Sequence, residues 1–273
     1  MSKSFTERIE EFLHNVQAAY KESWTSCASC NTIEHVIRGR ARCIAGKVED
    51  LLAASLYDIL NNRMPDLLVF VDMPLSYEIE ECDKSGKRQK DICYPDIIIA
   101  QKKDNQINVL YLLEVKINLG WGRHKLAGEE SYTDNSGNKA NRSISPIEDD
   151  IKNEFTALTN TKVWCRPPVS MKSQQDLHEL IKNGELLFKV SSDARYDLIL
   201  CSSKNVPKTV LNKARDRIGD DPDAVCQLYV LSDEELSLKY LGTKKENPAN
   251  LCSSDVTKWE RRVETIIRKV ADR

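Results

Sequence analysis

A chain of 273 residues, 41% of them hydrophobic and 30% charged with few Gly and Pro, has enough apolar side chain for one large core, which excludes a disordered, collagenous or low-complexity protein. Its apolar runs, such as residues 97–100 and 109–113, stop far short of the ~20 residues that span a bilayer, and charges interrupt the N-terminus where a secretory segment would be apolar. A cytoplasmic protein with no membrane partner is therefore expected, and the net charge of -2, from 40 basic and 42 acidic side chains, neither announces nor excludes a nucleic-acid partner.

Residues 5–20 place Phe5, Ile9, Phe12, Leu13, Val16 and Ala19 on one helical face. After a polar stretch over 24–42, a second helix is predicted from about 44 to 60, with Ile44, Val48, Leu51, Leu52, Ser55 and Ile59 as its buried stripe. The period then changes to that of strands. Residues 67–71 form one apolar run, and 92–100 and 107–117 form two more across a polar turn at 101–106, which predicts a hairpin. Residues 118–146 hold glycines, Asn and Ser with hardly any apolar period, and read as a long loop that either has a task or is disordered. A helix over 146–158, a strand over 196–201, a basic helix over 207–218 and a strand over 225–231 follow. A last helix over 254–270 carries Val256, Trp259, Val263, Ile266, Ile267 and Val270. This order predicts an α/β sandwich around a central mixed sheet. With no internal repeat and no linker, one domain is expected: a helical extension over 1–43, a core over 44–231 and a second helical extension over 232–273.

The chemistry-bearing piece is Tyr94-Pro95-Asp96 followed across the hairpin by Glu114-Val115-Lys116. Alternation along a strand puts Glu114 and Lys116 on one face and Val115 on the other, and the hairpin brings Asp96 near the level of Glu114. Two carboxylates and an ammonium then converge. Carboxylate oxygens suit Mg²⁺ or Mn²⁺, and the Val115 carbonyl, between the two functional side chains, is a further candidate ligand. Lys116 would orient a water or offset charge; acting as general base would require a depressed pKa. The plain alternative is an ion pair at an exposed strand end with Asp96 as a turn residue.

These residues resemble the PD-(D/E)xK nuclease superfamily, in which a Pro-Asp pair opens one strand, a Glu-x-Lys triplet lies in the next, and a Glu on a preceding helix completes the metal site. The matching positions are Pro95-Asp96, Glu114-Val115-Lys116 and, on the second helix, Glu49, which lies at the border of the apolar stripe while Asp50 points outward. The resemblance covers about 44–117. It implies a restriction-endonuclease-like three-layer α/β/α sandwich, a catalytic set of Asp96, Glu114, Lys116 and Glu49, and Mg²⁺ or Mn²⁺ held by Asp96, Glu114, Glu49 and Val115. It further implies cleavage of phosphodiester bonds in DNA, in a homodimer, with restriction or phage defence as the fitting role. A different class, a non-catalytic nucleic-acid-binding or assembly module on the same fold, stands beside it. Pro65-Asp66 is a decoy, since no Glu-x-Lys follows in its next strand.

Gly120-Trp121-Gly122-Arg123-His124-Lys125 comes directly after the Glu-x-Lys strand and reads equally as a solvated loop or as a mobile basic loop beside the site; in the second reading it would face the substrate. Arg123, His124 and Lys125 would meet phosphates, and Trp121 would pack or stack on a base. Lys204, Lys208, Lys213, Arg215 and Arg217, and again Arg261, Arg262, Arg268, Lys269 and Arg273, form basic faces that either touch a nucleic-acid backbone or are solvated. Cys27, Cys30, His35 and Cys43 are possible zinc ligands at a spacing that matches no standard finger. The nine cysteines are read as reduced thiols, many of them buried.

Overall fold

The computed structural model describes residues 3–29, 44–64, 66–82, 88–117, 123–133, 139–168, 175–234, 236 and 250–271. Helix α1 (Phe5–Ser29) runs on past its predicted end through Trp24, and opens on a capping box in which the Glu7 N–H donates to the Ser4 hydroxyl at 3.2 Å and the Ser4 N–H to the Glu7 carboxylate at 2.6 Å. Helix α2 (Ile44–Leu60) buries Ile44, Val48 and Leu52 of the expected stripe together with Ala53, Leu56 and Leu60, while Leu51, Ser55 and Ile59 lie at its half-buried border. Strands β1 (Leu67–Val71), β2 (Leu75–Cys82), β3 (Arg88–Cys93), β4 (Ile97–Lys103) and β5 (Gln106–Lys116) follow. The predicted hairpin forms between β4 and β5, but β4 starts only at Ile97, and the turn tightens to Asp104 and Asn105, with Asp104 left-handed at φ 55°. The run over 92–100 is therefore two strands, separated at Tyr94-Pro95-Asp96.

The described part of 118–146 does not form the predicted long loop. It includes α3 (Arg123–Ala127) and an antiparallel pair, β6 (Glu129–Thr133) and β7 (Lys139–Ser143). Then come α4 (Ile147–Asn160), β8 (Val163–Cys165), α5 (Gln175–His178), β9 (Ile181–Lys182), β10 (Glu185–Leu200), α6 (Lys208–Ile218), β11 (Leu228–Val230) and α7 (Ser253–Ala271). Nine strands make one mixed sheet in the order β1-β4-β5-β10-β8-β2-β3, with β9 and β11 also on β10. Strand β10 is parallel to β5 and β11 and antiparallel to β8, so its two halves take different neighbours.

Two cores lie against the two faces of this sheet. One joins Ile98, Leu112, Tyr196 and Leu198 to Ile147, Ile151 and Phe155 of α4 and to Leu211 and Ala214 of α6. The other joins Ile99, Leu113, Val115 and Ile199 to α1, α2 and α7. The segments expected as terminal extensions thus supply much of a helical layer: Phe5 packs edge-on against Trp259 at 5.3 Å between ring centres. Among the described residues no helix is long and apolar enough to cross a membrane.

Two irregularities position the site. The β1–β4 and β2–β3 ladders share one register, with Val71 opposite Ile97 and Leu75 opposite Cys93, so Asp72 stands opposite Asp96 where both chains bend. Pro74 and Pro95 flank the bend and cannot donate to a ladder, while the Asp72 N–H donates to the Asp96 carbonyl at 3.0 Å. Further along, Ile99 pairs with Tyr111 but Ala100 with Val109, leaving Leu110 as a bulge. The extra residue shifts the alternation, so that Leu112, Glu114 and Lys116 share the face toward α4 while Leu113 and Val115 face the layer of α2.

Candidate metal and catalytic site

Asp96 sits in the bend at the mouth of β4, and its carboxylate accepts the Val115 N–H at 2.6 Å. Val115 therefore bears on the site through its amide, while its side chain is buried on the opposite face. The Lys116 ammonium lies 3.5 Å from the Asp96 carboxylate and forms a tighter ion pair with Glu114. These three side chains are only 18%, 20% and 32% exposed for Asp96, Glu114 and Lys116, so this is not a solvated pair at an exposed strand end. Burial raises the Asp96 carboxyl above its ordinary value against the pull of Lys116 and the Val115 N–H. Glu114 is raised by burial too, with Lys116 opposing and Asp96 adding. Burial works against the Lys116 charge, but Glu114 and Asp96 outweigh it and hold its pKa above the ordinary value. A general-base role for Lys116 has no support in this arrangement, where it is a protonated cation.

Glu49 approaches from α2, while its neighbour Asp50 is exposed. Burial, then the charges of Asp96 and Asp72, push the Glu49 carboxyl from its ordinary 4.5 up to about 7. The folded chain thus holds this proton more tightly than the unfolded one. The stability so gained is full below about 4.5 and is lost as pH rises to about 7. Glu49→Gln is accordingly expected to change stability little at an acidic pH near the lower bound and to raise it in mildly alkaline buffer, as read from urea midpoints. Equal midpoint shifts under both conditions would contradict this reading of Glu49.

On the α4 side of β5 lies a cleft of about 260 Å³ lined by Glu114, Lys116, Lys125, Asp150, Glu154 and Tyr196, among others. The Tyr196 hydroxyl donates to Glu154 at 3.3 Å, and burial, followed by the charge of Glu114, raises the Glu154 carboxyl. Asp72 and Glu154 were both missed by the sequence reading. Glu154 lies next to buried Phe155 at the edge of the apolar stripe, the same signal that marks Glu49. Asp72 had only its place before Pro74 to identify it.

This chain matches no protein-family model, no curated protein and no solved structure.

The expected basic loop is instead helical at Arg123, His124 and Lys125. Trp121 and the side chain of Arg123 lie outside the described residues. His124 is half-buried, and Lys125 is paired with Asp150 at 2.6 Å, so its charge is spent on α4 beside the cleft. The basic faces are mostly exposed, and several of their side chains pair with carboxylates. Lys213 meets Glu129 at 3.3 Å, Arg215 meets Asp255 at 2.6 Å, and Arg217 joins Glu148 of α4 to the Leu126 carbonyl of α3. Arg262 is buried, and Lys269 reaches Asp223 at 3.4 Å. Of the proposed zinc ligands, Cys30, His35, Cys43 and the side chain of Cys27 lie outside the described residues. Cys93, Cys165, Cys201 and Cys226 are buried free thiols, as expected, and burial pushes Cys93 and Cys201 up to about 12.

The donor set suits a hard divalent cation. Asp96, Glu114 and Glu49 are oxygen donors whose carboxyls are all raised by burial, with Asp72 adding for Asp96, Asp96 for Glu114, and both for Glu49, a cost that a bound cation would offset. Among the described residues no three such donors already stand close enough to grip one ion, and the Lys116 ammonium bridges Asp96 and Glu114.

Proposed function

We propose that this chain is a metal-dependent nuclease that hydrolyses phosphodiester bonds in DNA, on a restriction-endonuclease-like fold. The observation that carries the reading is the convergence of Asp96, Glu114 and Lys116 at a half-buried bend, with Glu49 arriving from the opposite layer. The chain order supports it: α2, an antiparallel β1-β4-β5 group, α4, and then β10 parallel to β5. Asp96, Glu114 and Glu49, with the Val115 carbonyl, would hold Mg²⁺ or Mn²⁺, which would neutralise charge on a phosphate and acidify a bound water. The chain's own contributions are distinct. The Val115 N–H fixes the Asp96 carboxylate, and Lys116, protonated, offsets the negative charge that develops on the phosphate. A homodimer acting in restriction or phage defence would place two such sites on the two strands.

The test is incubation of plasmid, linear duplex, single strand and RNA with Mg²⁺ or Mn²⁺, followed by sequencing of the ends. Cleavage that stops on chelation is the expected result. Binding without cleavage of any substrate would instead favour a non-catalytic binding module on this fold.

A further inference from the structure

The sheet face opposite the one that carries Glu114 and Lys116 is not covered everywhere: it opens to solvent at β3, although Trp164 of the neighbouring β8 is itself buried. In β2, β3 and β8, the side chains of Tyr77, Cys93, Val163 and Cys165 enter the core shared with α4, so Ser76, Ile92 and Trp164 point the other way. They stand in one row across the ladder, Ile92 opposite Ser76 and Ser76 opposite Trp164. The core made with α1, α2 and α7 does not reach this row. Ile92 and Tyr94 are 48% and 56% exposed, two of the three large hydrophobic side chains left in solvent among the described residues. Strand β3 is also the last of the sheet order.

Charge accompanies the apolar surface. The Lys90 and Lys162 ammonium groups converge on the Trp164 ring, at 4.6 and 5.6 Å from its centre. Across the ladder from Lys90 stands Glu78, which has an interaction of its own. Two like charges over one indole are stabilised further by an anion beside them. The patch lies on the opposite face from Glu114 and Lys116 and meets the site at the bend, since Tyr94 is separated from Asp96 only by Pro95, and Lys90 lies within roughly 20 Å of it along the chain.

We propose that the outer face of β2, β3 and β8 binds an unpaired nucleic-acid strand entering the site, with Lys90 and Lys162 on successive phosphates and Tyr94 and Ile92 receiving a base. An unpaired strand is the fitting partner because its bases offer open faces to an exposed aromatic ring, whereas those of a duplex are stacked on each other. This rests on the nuclease reading for its direction and deepens it by naming the substrate class.

The test is fluorescence anisotropy of labelled single-stranded and blunt duplex oligonucleotides with chelator present, over a range of salt. Single strand is expected to bind the wild-type chain more tightly than duplex. Lys90→Gln with Lys162→Gln is expected to reduce the single-strand salt slope by about 1.4, the share of two phosphates. Tyr94→Ala is expected to weaken binding about tenfold while Tyr94→Phe retains it. Unchanged affinity in these variants, checked for folding by circular dichroism, overturns the proposal. So does a change confined to sedimentation, which would make the face a contact between two copies of the chain. No step needs cleavage. Binding lost in the variants of a chain that cuts nothing removes the nuclease reading and leaves the surface, and cleavage with unchanged binding does the reverse.

Discussion

Glu114→Gln is expected to lower cleavage by about 10²–10³-fold or more, the scale on which the loss of one preorganised charge-stabilising group is felt. It is expected to leave the fold intact. Glutamine keeps the shape and removes a carboxylate that burial already disfavours, while Lys116 retains Asp96 as a partner. Lys116→Met makes the informative contrast. It also removes activity, but it leaves Asp96 and Glu114 half-buried, facing each other without a cation. Both carboxyls are raised in the folded chain, so the cost of ionising them appears as pH rises. Lys116→Met should therefore be destabilised more at neutral than at acidic pH, and Glu114→Gln should not. Cleavage assays paired with urea unfolding at two pH values separate these outcomes. A Glu114→Gln chain that unfolds early and cuts in proportion to its folded fraction would reduce the pair to a structural ion pair.

The helices and the β4–β5 hairpin were legible because one burial environment per face leaves a clean period in the residues. Strand β2 was hidden because Leu75 and Tyr77 alternate with Ser76 and Glu78 on a face that no helix of the described residues covers, so its pattern is diluted by charge. The short β8 carries Val163, Trp164 and Cys165 in succession, all buried, and shows no alternation at all. For the site, the alternation of Glu114 and Lys116 and the border position of Glu49 were readable locally. The bulge at Leu110 was not, although it decides which layer Glu114 faces. Nor was the pairing of Asp72 with Asp96, which depends on two ladders sharing one register across a bend. The basic clusters stayed ambiguous for a similar reason: whether Arg215, Arg217 or Arg262 meets only solvent or a buried carboxylate depends on partners 40, 69 and 65 residues away in the chain.

The largest stability effect is expected away from the chemistry, at Asp197 and Arg262. Asp197 is fully buried and accepts from the Tyr111 hydroxyl at 2.6 Å, the Gln227 N–H at 2.7 Å, and Arg262 at 3.0 and 3.1 Å. Arg262 also donates to the carbonyls of Pro222 and Ala224, and the Trp259 indole N–H donates to the Tyr111 hydroxyl at 2.9 Å. Asp197 lies opposite Leu113, so this network ties α7 to β10 and β5 beneath Glu114. Removing one partner leaves a buried charge without its counterion, which costs about 3–5 kcal/mol. That is a large part of the 5–15 kcal/mol by which a domain is typically stable, roughly. Asp197→Ala is therefore expected to lower the unfolding free energy by this amount in guanidinium titrations, and Arg262→Met by a similar amount. The double variant should lose less than the sum, with a coupling of about 1–3 kcal/mol. Additive losses would mean that the two residues are held independently, and the strand bearing Glu114 would then owe its position to apolar packing alone.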